Sequence, residues 1–466
     1  MTVGRLVVPA LRWHVETGFG HEEPAIEAAL GAGVGGFILF GGPAGEVGAL
    51  TGRLRQAAGR PLLIGADLER GAGQQFAGLR EVPPPAALAS LGDLAAIREA
   101  GQITGEDARA VGVDWVYAPD ADLDLEPLNP IVQTRSFGAD PEAVAAAVRA
   151  WIEGARGAGV LTCAKHFPGH GRTVRDSHDQ LPVVTASRAE LDRTDLVPFR
   201  AAAAAGVDAV MTCHVAFPAL DPSGAPATLS RPILSLLRDE LGFRGLVVSD
   251  ALVMSAFRGA GTVVDASVAA VAAGVDVLLY PPDPSATATA LDQRAAADAG
   301  FRRRLDRSLE RYQGALEAAA SLPRSAATTS GTAGLADRIL GTAAPSVTLR
   351  PPIELSIIDD DLDGAYPPSS SDVVRAALAE RGIPFGTGGS RVALAFAEPR
   401  ASKGRGGFGD RCRAQLAAVR DHDLIVLFAH RRLAAELPPG VPVVFGYHRQ
   451  RLMQEAAARW IGARLQ

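Results

Sequence analysis

Cysteine is scarce in this chain: Cys163, Cys213 and Cys412 are the only three among 466 residues. The number is odd, the spacing is wide, and the first two sit inside apolar runs. A disulfide framework is therefore not expected, and a reducing, cytoplasmic setting is the simpler reading. No apolar run is long enough to cross a bilayer, and Met1 to Pro9 lacks the apolar stretch of a secretion signal. Blocks of like charge are also missing and the formal charge is only -6, so neither nucleic acid nor a membrane is expected as a partner. Nor does a Gly-rich phosphate turn follow the first apolar run, as a dinucleotide-binding half would require.

What the chain does have is apolar residues, 47% of the total, enough for a full core. Up to about residue 320, short β-type runs alternate with Ala-rich helical stretches, the pattern of repeated βα units. Eight runs stand out: Leu6 to Pro9, Gly36 to Phe40, Leu62 to Asp67, Trp115 to Pro119, Leu161 to His166, Ala209 to His214, Leu246 to Asp250 and Asp276 to Tyr280. A Gly-Val-Asp phrase introduces several, as at Asp114, Asp208 and Asp276, where a glycine ends one helix before the next strand. The expected fold is α/β, a (β/α)8 TIM barrel over residues 1–320. A Ser/Thr/Ala/Gly-rich linker is expected over 321–345. Residues 346–466 then form a smaller α/β, αβα sandwich-like domain, with strand candidates Ile353 to Ile358, Val392 to Phe396, Leu424 to Phe428 and Pro442 to Phe445.

The chemistry concentrates in Lys165-His166-Phe167-Pro168-Gly169-His170-Gly171-Arg172-Thr173-Val174-Arg175-Asp176-Ser177-His178. This stretch has neither a strand nor a helix period and follows an apolar run, so it is a loop at a strand's C-terminal end, where α/β folds bind ligands. Other runs also end in polar groups: Asp67 with Glu69, Asp122, His214 and Asp250. Asp122 and Asp124 can equally be read as helix caps or turn formers. Asp250 follows four apolar residues and would face cationic partners that keep it ionised and nucleophilic. Asp176 and His178, two apart, can act as a dyad in which the carboxylate orients the imidazole for proton transfer. A zinc or iron reading of His166, His170, Asp176 and His178 is weaker, because Pro168-Gly169 breaks any shared helix face and Lys165 repels a cation. No metal and no organic cofactor is expected.

These residues, in this order, resemble glycoside hydrolase family 3, specifically its β-N-acetylhexosaminidase branch. Lys165 to Gly171 followed by Asp176-Ser177-His178 matches that branch's loop, Asn129-Pro130 to Arg135-Ser136-Phe137-Gly138 its Arg-containing segment, and Ser249-Asp250 its nucleophile strand end. The resemblance implies that Asp250 attacks the anomeric carbon while His178, held by Asp176, protonates the leaving oxygen. It further implies that Asp67, Arg135, Lys165 and His166 bind sugar hydroxyls; His214 is added from its strand-end position. The implied activity is a retaining exo-β-N-acetylhexosaminidase acting on a small carbohydrate from cell wall or chitin.

One segment departs from the pattern. Asp67-Leu68-Glu69-Arg70-Gly71-Ala72-Gly73-Gln74-Gln75 carries Gln75 where the aminosugar enzymes carry a substrate-binding Arg, with Arg70 nearby. Glu398 is the single candidate for a carboxylate acid/base from the C-terminal region and is expected to be structural. A β-glucosidase or phosphorylase of the same family is the near alternative. A metal-dependent barrel hydrolase and a catalytically silent sugar-binding protein are more distant ones.

Overall fold

The computed structural model describes residues 2–174, 181–253, 261–323, 331–361, 369–399, 403 and 405–466. The eight expected runs all carry strands. The first, Leu6 to Pro9, carries β1 (Val7–Val8), and β2 (Ala10–Arg12) lies beyond it, across Pro9, which has no N–H to give a neighbour. Leu6 falls outside β1, in a 3-10 turn spanning Val3–Leu6. Next come β3 (Gly36–Phe40), β4 (Leu63–Ala66), β5 (Trp115–Val116), β6 (Leu161–Phe167), β7 (Ala209–Thr212), β8 (Leu246–Val248) and β9 (Leu278–Leu279). β2 to β8 pair in chain order as one parallel sheet of seven strands. Val248 bridges to Val277 just ahead of β9, and β9 pairs with β1, which joins the two edges of the sheet. The architecture is TIM-barrel-like, and its strands are buried on both faces, as expected of parallel strands with helices outside.

The Gly-Val-Asp phrase has a structural task. Asp114, Asp208 and Asp276 each accept the backbone N–H of the preceding strand: Ile64 at 3.3 Å, Thr162 at 2.9 Å and Val247 at 3.0 Å. Each also receives an arginine from the helical segment before that strand: Arg55 at 2.6 Å, Arg156 at 2.5 Å and Arg238 at 2.5 Å. The device staples helix to strand at the N-terminal end of the barrel, away from the strand ends that carry the polar residues.

Beyond the barrel, β10 (Glu354–Asp359), β11 (Arg391–Ala397), β12 (Leu424–Ala429) and β13 (Val443–Phe445) form a second parallel sheet in chain order. Side-chain alternation sorts its two faces. Val392, Leu394, Phe396, Val426 and Phe428 pack with helices Ala333–Gly341, Val373–Ala379 and Arg451–Gly462, whereas Ala393, Ala395, Ile425 and Leu427 pack with helix Asp410–Ala418. Helix Ala333–Gly341 lies inside the stretch expected as linker. Its Leu335, Ala336, Ile339 and Leu340 recur at helical spacing and are buried, so the loop-like composition stops at Gly331.

The two sheets' surroundings are tied together. Gln133 donates to the Gly406 carbonyl at 3.0 Å, Gln450 to the Val82 carbonyl at 2.8 Å, and the Leu452 N–H to Glu81 at 2.7 Å. Asp124 is neither cap nor turn former; it pairs with Arg432 and His430 across this junction. Among the described residues no helix is long and apolar enough to cross a membrane.

Candidate active site

The C-terminal strand ends open onto one cavity of about 530 Å³ whose wall includes Asp67, Arg135, Lys165, His166 and Asp250. Asp67 follows β4, Lys165 and His166 close β6, and Asp250 stands two residues past β8. Among the described residues the next helix starts at Val263, well beyond Asp250, whose Oδ1 accepts the Ala251 N–H at 2.7 Å. Its carboxylate is half-buried on the cavity wall.

Lys165, only 2% exposed, bridges two carboxylates at 2.7 Å each, Asp67 and Glu69. Arg135 grips Glu69 with a two-pronged contact of 2.9 and 2.8 Å. Burial alone would lower the Lys165 pKa, but Asp67 and Glu69 outweigh it and raise it, so the ammonium persists. With two of its three N–H groups used, one remains for a ligand oxygen. Asp67 accepts Lys165 through Oδ1, which leaves its other oxygen able to accept a hydroxyl.

Burial raises the Glu69 pKa, yet Arg135 and Lys165 together hold it well below the usual carboxylate range. The fold therefore favours ionised Glu69. That contribution is complete above the unfolded pKa of about 4.3 and is lost as pH falls through the lower folded value. Thermal unfolding followed by circular dichroism from pH 7 to pH 3 should accordingly show a steeper acid loss in the native chain than in Glu69→Gln. Equal slopes would remove this carboxylate from the acid response.

Behind the wall, Asp122 is fully buried and is not a cap. Its Oδ1 accepts the His166 N–H at 3.2 Å and the His170 N–H at 2.6 Å, and its Oδ2 lies 2.8 Å from His166 Nδ1. Burial pushes this carboxyl up, but His166 and His170 bring it net below its ordinary value. An ionised carboxylate only accepts, so Nδ1 of His166 carries the proton and donates it to Asp122, which leaves Nε2 for a hydroxyl. Asp120 is driven the other way, well above the carboxylate range, by burial and by the neighbouring Asp122 charge. Asp120, Asp122 and His166 offer ligand atoms within 4.8 Å of one another. Those of Asp122 and His166 are already bonded to each other, and the Arg135 guanidinium stands 3.8 Å from Asp120, a charge opposed to a cation.

His214 is correctly placed at a strand end but is not on the cavity wall. It is fully buried, with Nδ1 2.9 Å from the Thr228 hydroxyl and Nε2 3.3 Å from the Ala251 carbonyl, where it backs the segment after Asp250. Asp176 and His178 lie outside the described residues. Glu398 is 3.0 Å from His448 and is likewise not on the wall. Gln75 lines the cavity and accepts the Gly41 N–H at 3.2 Å; Arg70 lines it too.

Sequence reasoning passed over Arg12, Phe40 and Tyr280, which end or follow β2, β3 and β9 on the same wall. The Arg12 guanidinium stacks 4.2 Å from the Phe40 ring centre and donates to the Tyr280 hydroxyl at 2.9 Å. Tyr280 has φ of 52°, a left-handed conformation that costs a non-glycine residue about 1–3 kcal/mol. The strand-end rule that selected Asp67 and Asp250 would have found Tyr280, whereas Phe40 is apolar and Arg12 lies beyond the run that ends at Pro9.

Residues 21–313 match the family described as Glycosyl hydrolase family 3 N terminal domain. The chain belongs to this family. Over 263 residues this family 3 chain is 40% identical to a β-N-acetylglucosaminidase/β-glucosidase of Cellulomonas fimi, a match covering 54% of this chain and 46% of that protein. It therefore spans less than half of that relative's length. A β-hexosaminidase of Thiobacillus denitrificans is 39% identical over 265 residues, covering 54% of this chain and 72% of its own. Among solved structures, the family 3 β-N-acetylglucosaminidase of Paenibacillus sp. str. FPU-7 superposes with a TM-score of 0.83 at 28% identity, covering 100% of this chain and 96% of that one. The likeness in fold thus runs through the second sheet, beyond the span matched in sequence.

Proposed function

We propose that the protein is a retaining, exo-acting β-N-acetylhexosaminidase that releases terminal β-linked GlcNAc from wall-derived or chitin-type oligosaccharides. The observation that carries this reading is the sharing of one cavity by Asp250 and the polar cluster Asp67, Arg135, Lys165 and His166. The cluster supplies both donors and acceptors to vicinal hydroxyls, while Phe40, Met211 and Tyr280 give the sugar faces apolar contact. Asp250 attacks the anomeric carbon, the bond to the leaving oxygen breaks, and that oxygen takes a proton from His178, which Asp176 orients. Water then attacks the glycosyl ester, gives its proton to His178, and frees Asp250 with retention of configuration. The names of the relatives support the aminosugar assignment.

His178→Ala should lower kcat/KM for oligosaccharides about 100-fold or more, yet change kcat/KM for a dinitrophenyl glycoside, whose leaving group needs no proton, by less than about tenfold. Equal losses on both would take the proton-donor role from His178. Release of p-nitrophenol from the β-GlcNAc glycoside, measured against the β-glucoside, tests the branch. Faster cleavage of the glucoside would reverse it.

Arg70 takes over, in this reading, the anion-holding task of the Arg that Gln75 replaces. This guanidinium on the wall also favours a second reading, phosphate in place of water as acceptor, and absence of sugar 1-phosphate in phosphate buffer would remove it. The three buried thiols support a reducing, cytoplasmic setting. Residues 346–466 are assigned to a separate αβα domain that buttresses the barrel.

A further inference from the structure

The three Gly-Val-Asp staples provide an internal comparison. Asp114 and Asp208 each engage one arginine, Arg55 and Arg156. Asp276, built into the same device and fully buried, engages three: Arg238 at 2.5 Å, Arg304 at 3.0 Å and Arg311 at 3.1 Å, besides the Ser308 hydroxyl at 2.7 Å. One guanidinium suffices for the staple, so two are surplus to it.

The surplus extends outward. A cavity of about 510 Å³ opens over this cluster, with Arg231, Arg294 and Arg307 joining the three arginines on its wall. The wall's acids are Asp239 and Asp298, and Asp298 is already committed to Arg294 at 3.0 Å and to capping the Gly300 and Phe301 N–H groups. With Asp276 included, six guanidiniums meet three carboxylates among the described residues. Arg231 and Arg307 are exposed and have no hydrogen-bond or ion-pair partner among the described residues. Burial, and then crowding by Arg311, Arg304 and Arg244 against the pull of Asp276, bring the Arg238 pKa down to about 10. Arg238 and Arg304 are nonetheless fixed, Arg238 on the Phe243 and Gly245 carbonyls and Arg304 on those of Gly274 and Val275. A rigid, self-repelling group of cations in a concave site is complementary to a ligand of several negative charges.

We propose that this cavity binds a small phosphate-bearing anion, at a site distinct from the active site. The separation follows from the topology: Asp276 precedes β9 and is held by Arg238, Arg304 and Arg311 of the basic cavity's wall, whereas Tyr280 follows β9 and lines the candidate active site. A phosphate dianion would offset most of the excess charge, and its oxygens match the paired N–H groups of guanidinium. This inference does not rest on the glycosidase reading.

Isothermal titration of the full chain with inorganic pyrophosphate and, separately, glucose 6-phosphate, at fixed ionic strength, is the test. Saturable one-site binding of either is expected. Arg231→Glu/Arg307→Glu should weaken it about tenfold or more while leaving aryl glycoside turnover and thermal stability unchanged. Arg149→Glu/Arg193→Glu, an exposed pair on other helices, alters net charge equally and should leave binding intact. No saturable binding by the native chain, or equal weakening by both double variants, would overturn the proposal.

Discussion

Asp250→Ala is expected to lower kcat/KM for an aryl β-N-acetylglucosaminide by about 10⁴-fold or more, the scale of loss when an attacking nucleophile is removed. The expectation rests on position. Asp250 is set by β8, whose three residues Leu246–Val248 are fully enclosed, so the backbone delivering the carboxylate to the cavity is fixed by packing. Removing the side chain deletes the proposed nucleophile and leaves the polar cluster of Lys165, Asp67 and Arg135 in place. KM should change much less than kcat. Azide, small enough to occupy the vacated space, should restore part of the rate and give a glycosyl azide of inverted configuration. Steady-state kinetics with product analysis by NMR checks both. A variant within tenfold of the native rate would show that Asp250 is not the attacking group.

Lys165→Met is expected to damage stability and activity together. The ammonium is the buried link between Asp67 and Glu69, and its loss leaves Glu69, itself 5% exposed, with Arg135 as its remaining partner. Breaking such a buried pair from one side costs about 3–5 kcal/mol, which corresponds to a fall of roughly 10 °C in the first thermal transition. A charged donor to substrate disappears as well, so kcat/KM should drop about 100-fold. The double variant Lys165→Met/Glu69→Gln separates the two effects. It removes the excess negative charge left among Asp67, Glu69 and Arg135 and should recover much of the lost stability, while activity stays low. Recovery of activity alongside stability would mean that Lys165 acts only by holding the fold.

The barrel is legible in the sequence because each strand is a short apolar run enclosed on both faces, set against Ala-rich helices whose composition differs. Gly36 to Phe40 has the expected bounds, and most other runs lose only their ends. Trp115 to Pro119 shortens to the two residues Trp115–Val116, although the Ala118 and Pro119 carbonyls still accept the Cys163 and Lys165 N–H groups. The polar cluster on the cavity wall is legible for a related reason, since polar groups that end apolar runs converge at one mouth.

Three things are hidden. Asp120, Asp122 and Asp124 alternate with apolar residues in a stretch that reads as a turn, and only the convergence of the His166 and His170 N–H groups gives Asp122 its task. The left-handed φ of Tyr280 has no signature in a residue that rarely adopts it. Contacts such as Arg432 with Asp124 join residues some three hundred positions apart, beyond the reach of any local pattern.

Mass spectrometry of the native chain, after reaction with an activated fluorinated β-GlcNAc glycoside that forms the glycosyl-enzyme faster than it is hydrolysed, bears most directly on the central assignment. One added sugar on the peptide containing Asp250, with turnover blocked in proportion, is the expected result. Complete inhibition with the sugar on another residue, or hydrolysis of ordinary substrate with inversion at the anomeric carbon, would contradict it.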